Sequence, residues 1–328
     1  MPSGPDLLAT YRGMRDPGRT PEPVPPAGPL PAGNDDTFVI QEHHARALHW
    51  DVRLERGGVL VSWAVPKGLP LDPKTNHLAV HTEDHPLEYA SFAGDIPRGE
   101  YGGGQVYLWD RGTYELEKWS DREVKVVLHG TRARGRYVFF QTRGRDWMVH
   151  RMDPPPDPDW EPVPVKVRPM LPVAGSLPTG RAVASWSYEL AWGGIRALVS
   201  VSGGRARIVD ARGTDVSVAY PELRPIGEAL GSRAVLLDGE IVALGRDGRP
   251  DPRQLRRRPA KATAPPARTA REAPVTYLAF DVLHLDGHPT TGLPYAERRA
   301  LLEQIGVAGT RWSVAPVLGS GSDAVAAS

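Results

Sequence analysis

Phe38-Val39-Ile40-Gln41-Glu42-His43-His44-Ala45-Arg46-Ala47-Leu48-His49-Trp50-Asp51-Val52-Arg53-Leu54-Glu55 is the stretch that decides the fold of the first half of the chain. Successive side chains of a strand point to opposite faces, so a strand over 49–54 puts His49, Asp51 and Arg53 on one face. Trp50, Val52 and Leu54 take the other face and suit a core. Similar short runs recur at 59–65, 78–81, 105–109, 124–128 and 136–142, broken by Gly. Short strands at this spacing predict a small antiparallel barrel or sandwich over 37–152.

The flanks of this region are rich in proline. Residues 1–36 hold nine Pro and residues 153–172 hold eight, so both read as extended arm or linker, with one or two helical turns near 6–12. A second domain is expected over 173–328, with strands at 188–190, 196–201, 206–210, 234–244 and 275–284 and helices at 220–230 and 295–304. Strands grouped in this way with few helices predict an α+β fold. Residues 253–275 carry seven Lys/Arg and one acid, which reads as a disordered basic loop or a DNA-contacting one. Residues 132–145 interleave Arg with Tyr137, Phe139 and Phe140 and read as a strand pair with a solvated Arg face or a phosphate-contacting one.

The whole chain has 328 residues, 40 Lys+Arg against 39 Asp+Glu, and no Cys. That length suits two domains. The charge balance argues against a protein that coats nucleic acid by bulk charge, and the lack of Cys excludes disulfides, thiolate metal sites and a Cys nucleophile. No apolar run reaches the roughly 18 residues of a membrane span, and Met1-Pro2-Ser3-Gly4-Pro5-Asp6 lacks a secretory pattern, so a cytoplasmic protein is expected.

Six of the ten His lie between His43 and His85. His43 could turn in beside His49 and Asp51 as a third ligand, and two imidazoles with a carboxylate suit a divalent metal with open positions. The same donor set also suits non-haem iron or zinc, so spacing alone does not choose the metal. Alternation also places His81, Glu83 and His85 on one face. A metal beside Arg53 and several His describes phosphoester cleavage: Arg holds phosphate oxygens, and a His can protonate the leaving oxygen.

Residues 41–55, 63–68, 78–89 and 99–104 together resemble the 3′-phosphoesterase domain of bacterial DNA ligase D. The resemblance implies a β-barrel that uses manganese, or another divalent metal, to trim a 3′-terminal ribonucleoside and remove a 3′-phosphate in non-homologous end joining. It implies His43, His49 and Asp51 as metal-site positions and Arg53 and His85 as phosphate contacts. Gln41 and Tyr89 match further catalytic positions. Arg15, Asp16 and Glu22 match an Arg-Asp…Thr-x-Glu-Pro arm. His77 stands where the family often has Arg, and is expected to keep part of the phosphate grip. DNA 3′ ends, Ku and a separate polymerase or ligase are the implied partners, in a nucleoid-associated setting.

The second domain resembles the adenylation domain of ATP-dependent DNA ligases, a nucleotidyltransferase (ATP-grasp-like) fold. The Lys-x-Asp-Gly-x-Arg motif reads Ala191-Trp192-Gly193-Gly194-Ile195-Arg196, and Arg212, Glu240 and the 280–287 stretch match later pieces. Adenylation needs a lysine amine to attack the α-phosphate of ATP. Ala191 has none, and beyond Lys166 the only Lys is Lys261. The chain ends at Ser328, ahead of where the family's Glu-Gly-x-Val-x-Lys motif and OB domain would stand. A partial, degenerate domain that does not use ATP covalently is therefore expected. A working ATP-dependent ligase and a non-catalytic DNA-end adaptor are the alternatives.

Overall fold

The computed structural model describes residues 6–245, 248–258 and 267–318. The chain divides into two compact units, Met1–Trp160 and Glu161–Ser328. Among the described residues no helix is long and apolar enough to cross a membrane.

In the first unit a helical turn, α1 (Ala9–Gly13), precedes ten strands. These are β1 (Thr37–His44), β2 (Leu48–Arg56), β3 (Val59–Val65), β4 (Asn76–His81), β5 (His85–Pro86), β6 (Gly94–Ile96), β7 (Gly104–Ser120), β8 (Glu123–Gly130), β9 (Arg134–Arg143) and β10 (Asp146–Arg151). Eight of them run antiparallel in the order β1-β2-β3-β4-β10-β9-β8-β7, and β7 pairs back onto β1 to close a barrel. Closure leaves those strands without free edges. The tight β2–β3 hairpin turns on Gly57 and Gly58, with φ of 60° and 82°, which a side chain would resist.

Period two then sorts the side chains. Phe38, Ile40, Trp50, Val52, Leu54, Trp63 and Val65 enter one buried cluster with Val126, Leu128, Phe139 and Val149. The alternate residues of β1–β3 face the other way. There Val39 and Leu60, joined by Val59 from the first position of β3, form a smaller cluster with Leu8 and Tyr11 of the arm and Tyr89. Tyr11 is fully buried and its hydroxyl donates to the Pro23 carbonyl at 2.8 Å. The arm is thus packed onto the outer barrel wall.

Two expectations change, and one strand is new. β7 continues to Ser120, well beyond 109, because its buried residues, Val106, Asp110 and Tyr114, recur every fourth position and hide the period of two. β10 has no sequence-level forecast at all, although Trp147 and Val149 bury as a strand face should. β4 stops at His81, so His81 does not share a face with Glu83 and His85. Its ring instead packs against Trp63 (centroids 5.4 Å) and Trp147 (5.9 Å). In β9, Tyr137 and Phe139 are buried while Arg136 pairs with Glu117 at 2.7 Å.

The second unit opens with β11 (Tyr188–Glu189), then β12 (Ile195–Ser202), β13 (Arg205–Asp210), α2 (Pro225–Leu230), β14 (Val235–Ala243), α3 (Pro252–Arg256), α4 (Ala267–Glu272) and β15 (Val275–Leu285). After these come β16 (His288–Pro289), α5 (Tyr295–Ile305), β17 (Ala308–Gly309), β18 (Trp312–Val314) and β19 (Val317–Leu318). The main sheet runs β13-β12-β14-β15-β18-β17, antiparallel except for β15–β18, and β16 pairs with β15. Its core gathers Val199, Val201, Leu237, Ile241, Tyr277 and Val282 with Ile226 of α2 and Leu302 of α5. This is the α+β architecture expected. The helix expected over 220–230 is shorter, because Pro225 cannot supply the N–H a continuous helix needs and sits in the first turn of α2. Of the basic stretch, residues 259–266, Lys261 included, lie outside the described residues. α3 is capped by Asp251, whose carboxylate accepts from the Arg253 and Gln254 amides.

Candidate metal centre and active site

The β1–β2 register aligns Gln41 with Asp51 and His43 with His49. Since these residues share the outward face, two imidazoles and a carboxylate meet there. Their nearest ligand atoms lie within 4.8 Å of one another. His43 Nδ1 is 3.5 Å from Asp51 Oδ2, His49 Nε2 is 3.6 Å from Asp51 Oδ1, and the two rings are 4.7 Å apart. His49 Nδ1 hydrogen-bonds the Ala47 carbonyl at 3.0 Å, which orients its other nitrogen. His43 Nε2 is buried without a partner. An unsatisfied buried imidazole nitrogen is costly, and two imidazoles and a carboxylate gathered this closely fit a divalent cation. Burial opposes ionisation of Asp51, but Arg53 and the two imidazoles outweigh it and hold the carboxyl well below its usual range.

Arg53 is buried at the next outward position of β2. Nε donates to Gln41 Oε1 at 2.8 Å, Nη1 to Ser62 Oγ at 2.9 Å and Nη2 to Asp51 Oδ2 at 3.0 Å. Of its five N–H donors these bonds engage three and leave two for a ligand. Gln41 is itself fixed by donating to the Tyr89 and Phe92 carbonyls at 3.1 and 2.8 Å.

The arm supplies the far side. Arg15 donates from Nε to Glu22 Oε1 at 2.9 Å and from Nη1 to Glu83 Oε1 at 3.2 Å. Burial works against its charge, and Glu22 and Glu83 more than offset that. Glu22 also accepts from Thr20 Oγ1 at 2.7 Å and Tyr89 Oη at 3.0 Å, and Tyr101 Oη donates to Glu83 Oε2 at 3.2 Å. His85 Nδ1 lies 2.8 Å from the Glu83 carbonyl and Nε2 lies 3.3 Å from Arg15 Nη2. A carbonyl only accepts, so Nδ1 carries the proton and Nε2 accepts from Arg15. Burial, then Arg53 and Arg15, push the His85 pKa well below its usual value, so the ring is neutral at pH 7.

The structure therefore brings Arg15, Glu22, Gln41, His43, His49, Asp51, Arg53, His85 and Tyr89 to one face of the barrel. Two expected members are elsewhere. Asp16 is exposed and accepts from the Gly18 amide at 2.9 Å, shaping the arm's turn. His77 shares the parity of Ala79, which lies in the barrel core, and its Nδ1 bonds the Gly68 carbonyl at 2.7 Å. Alternation along β4 turns it away from the triad, so it does not join the phosphate-contacting group. Sequence patterns assign no role to Ser62, Glu83, Thr20 or Tyr101. Ser62 carried a signal: it is the one hydroxyl in the apolar run 59–65, and it stands opposite Arg53 in the β2–β3 register.

In the second unit Ala191 is exposed just before β12. The Gly194 amide donates to Glu240 Oε2 at 3.1 Å, and Arg196 forks onto Asp238 at 2.7 and 2.8 Å. Arg196 also lies over the Phe280 ring at 4.4 Å. Gly193 adopts φ 64°, and Arg212 is exposed with its amide bonded to Asp210 at 2.9 Å.

Comparison with known proteins names both halves. Residues 41–141 match the DNA ligase D 3′-phosphoesterase domain, and residues 179–322 match the ATP dependent DNA ligase domain. Over 331 aligned positions the chain is 46% identical to the multifunctional non-homologous end joining protein LigD of Mycobacterium bovis, covering 98% of this chain and 41% of that one. The chain is a homologue of the DNA ligase D proteins. LigD of Pseudomonas aeruginosa is 32% identical over 91% of this chain and 40% of its own length. A solved mycobacterial DNA ligase D complexed with ATP and MES is 36% identical, with a TM-score of 0.38, over 44% of this chain and 45% of that one. The chain thus spans about two fifths of the LigD relatives it matches, and carries a phosphoesterase domain followed by a ligase-type domain, as the motifs implied.

Proposed function

We propose that the first unit is a metal-dependent phosphoesterase that heals DNA 3′ ends during non-homologous end joining, removing a 3′-phosphate or a 3′-terminal ribonucleoside to leave a 3′-OH. The observation that carries this is the His43–His49–Asp51 triad set beside a buried Arg53 with two free donors. A bound divalent metal, manganese in the family that the sequence resembles, would supply Lewis-acid polarisation of a phosphoryl oxygen. His43, His49 and Asp51 would hold it. Arg53 binds the phosphoryl oxygens and resists the charge that builds on them. Gln41, Ser62 and Asp51 fix the plane of that guanidinium. The Arg15–Glu22–Tyr89 network closes the far side, and His85 presents Nε2 at the boundary between them. A phosphate drawn to Arg15 and Arg53 would raise the His85 pKa, which suits it to hand a proton to the leaving oxygen.

The second unit is read as lacking self-adenylation. Ala191 offers no amine where the family's nucleophile stands, and Gly193 replaces the motif's Asp. The retained fork between Arg196 and Asp238 and the Gly194–Glu240 bond suit a scaffold for nucleotide or DNA. Ku and separately encoded end-joining enzymes are the partners this reading implies.

The test uses a 5′-labelled primer–template ending in a 3′-phosphate or a single ribonucleotide, with manganese. Wild type should convert both ends, while His49→Ala and Asp51→Ala should abolish conversion and keep the far-UV circular dichroism. Wild type inert on both ends across several divalent metals would overturn the phosphoesterase reading. Incubation with α-labelled ATP should leave the chain unlabelled, and a covalent adenylate would overturn the second part.

A further inference from the structure

A cavity of about 1120 Å³ lies beside the triad, between residues 44–49 at the β1–β2 turn and residues 95–105. His49 lines it, so cavity and triad are continuous. Small-molecule sites usually occupy about 300–1,000 Å³, and this space exceeds that range. Its basic groups are Arg46 on one wall and Arg98 on the other. Both are exposed, and neither has a carboxylate partner among the described residues. The lining contains two acids. Glu100 is taken up by Arg19 at 2.6 Å, which leaves Asp95 alone against the two Arg.

The 95–105 wall is preformed. Tyr101 ties it to Glu83 and hence to Arg15, and Glu100 ties it to the arm. Gly102 lets it pass close to the metal centre: it has φ 72°, and a Cβ there would stand 3.9 Å from His43 Cε1. Two guanidinium groups without carboxylate partners, on the two chain segments that line a space larger than one nucleotide, describe a grip on a sugar–phosphate chain.

At a 3′ end, at most one nucleoside lies beyond the reacting phosphate. A space of this size next to the triad must therefore face the 5′ side. We propose that the cavity seats the DNA strand leading into the reacting 3′ end, with Arg46 and Arg98 bound to backbone phosphates upstream of the scissile ester. This rests on the phosphoesterase reading above and adds the substrate's path to it.

The test is steady-state cleavage of the 3′-phosphate primer–template by the full chain over a range of salt concentrations. Wild type is compared with Arg46→Ala, Arg98→Ala, the double variant, and Arg122→Ala at the β7–β8 turn, outside the cavity. Each cavity substitution should raise KM, leave kcat near wild type and lower the slope of log KM against log salt by about 0.7–0.9, the share of one phosphate contact. The double variant should lower it by about twice that, and Arg122→Ala should not change it. An active wild type whose KM and salt slope are unaffected by all the cavity variants, or equally affected by Arg122→Ala, would overturn the strand path while leaving the phosphoesterase reading intact. A wild type inactive on every 3′ end would instead sink the reading beneath it.

Discussion

Replacing Arg53 is the most demanding test of how the site is held together, because the guanidinium that holds Asp51 is also the one proposed to bind phosphate. Arg53→Met removes the partner of a buried carboxylate, Asp51, and three hydrogen bonds at 2.8, 2.9 and 3.0 Å. Breaking a buried ion pair from one side typically costs about 3–5 kcal/mol, since the remaining charge stays desolvated. Arg53→Lys keeps the charge but can reach only part of that fork. Losing two charge-assisted bonds, at net values of about 1.5 kcal/mol each, sets its cost near 3 kcal/mol, reduced where Lys finds one partner. The expected order in metal-free urea unfolding is wild type, then Lys, then Met. Activity should separate from stability: both variants should lose at least about a hundredfold in single-turnover removal of a 3′-phosphate, the usual loss for a donor aimed at developing charge. An Arg53→Met protein within about 0.5 kcal/mol of wild type would show that Asp51 does not depend on this guanidinium. An Arg53→Lys protein with full activity would show that a point charge suffices and that the planar fork has no part in phosphate binding.

Three further outcomes are expected. His49→Ala should weaken manganese binding, read by isothermal titration calorimetry, by more than about tenfold, whatever its effect on turnover. Unchanged affinity would remove His49 from the metal set. Gly102→Val should cost about 1–2 kcal/mol in thermal melts, because φ 72° disfavours a branched side chain, and should lower metal affinity by crowding His43; a neutral effect on both would refute the close approach. Burial, reinforced by Glu83, raises the Asp84 pKa to about 6. The native state therefore takes up a proton between about pH 4 and 6 that the unfolded chain does not, so stability from this group is greatest at low pH and falls as pH rises through that window. Asp84→Asn should be more stable than wild type by roughly 1–3 kcal/mol at pH 7 and equal to it below about pH 4 in denaturation curves; no pH dependence in the difference would contradict the shift.

The part of the site that sequence reasoning reached is the part written in a single strand. His49, Asp51 and Arg53 share a face because β2 is regular from Leu48 to Arg56, and Gln41 and His43 join them through the pairing with β1. Periodicity fails where the backbone leaves the sheet. Beyond His81 the chain leaves β4, so the spacing of His81, Glu83 and His85 carries no information about a common face. The same parity rule, applied from buried Ala79, turns His77 away from the triad. The arm is a different case: Arg15 and Glu22 come together across a Pro-rich segment with no period at all, and only the family resemblance pointed to them. Glu83 and Tyr101 act through contacts 68 and 18 residues away in sequence, which no local pattern records, while Ser62 shows only as a lone hydroxyl in an apolar strand.

The packed arm has a consequence for the order in which the protein is built. Arg15 and Glu22 leave the ribosome before their partners Glu83, His85 and Tyr89, which lie 67–70 residues downstream. Until those residues emerge, a nascent chain carries a cation and an anion with nowhere to bury them, and contacts of such separation are slow to close. The outer wall of the barrel must exist before the arm can settle on it. The Arg15–Glu22–Tyr89 side of the site is therefore completed after the barrel wall. A population caught early in refolding would show barrel-like circular dichroism and no conversion of 3′ ends, with activity returning in step with protection of Tyr11 from solvent.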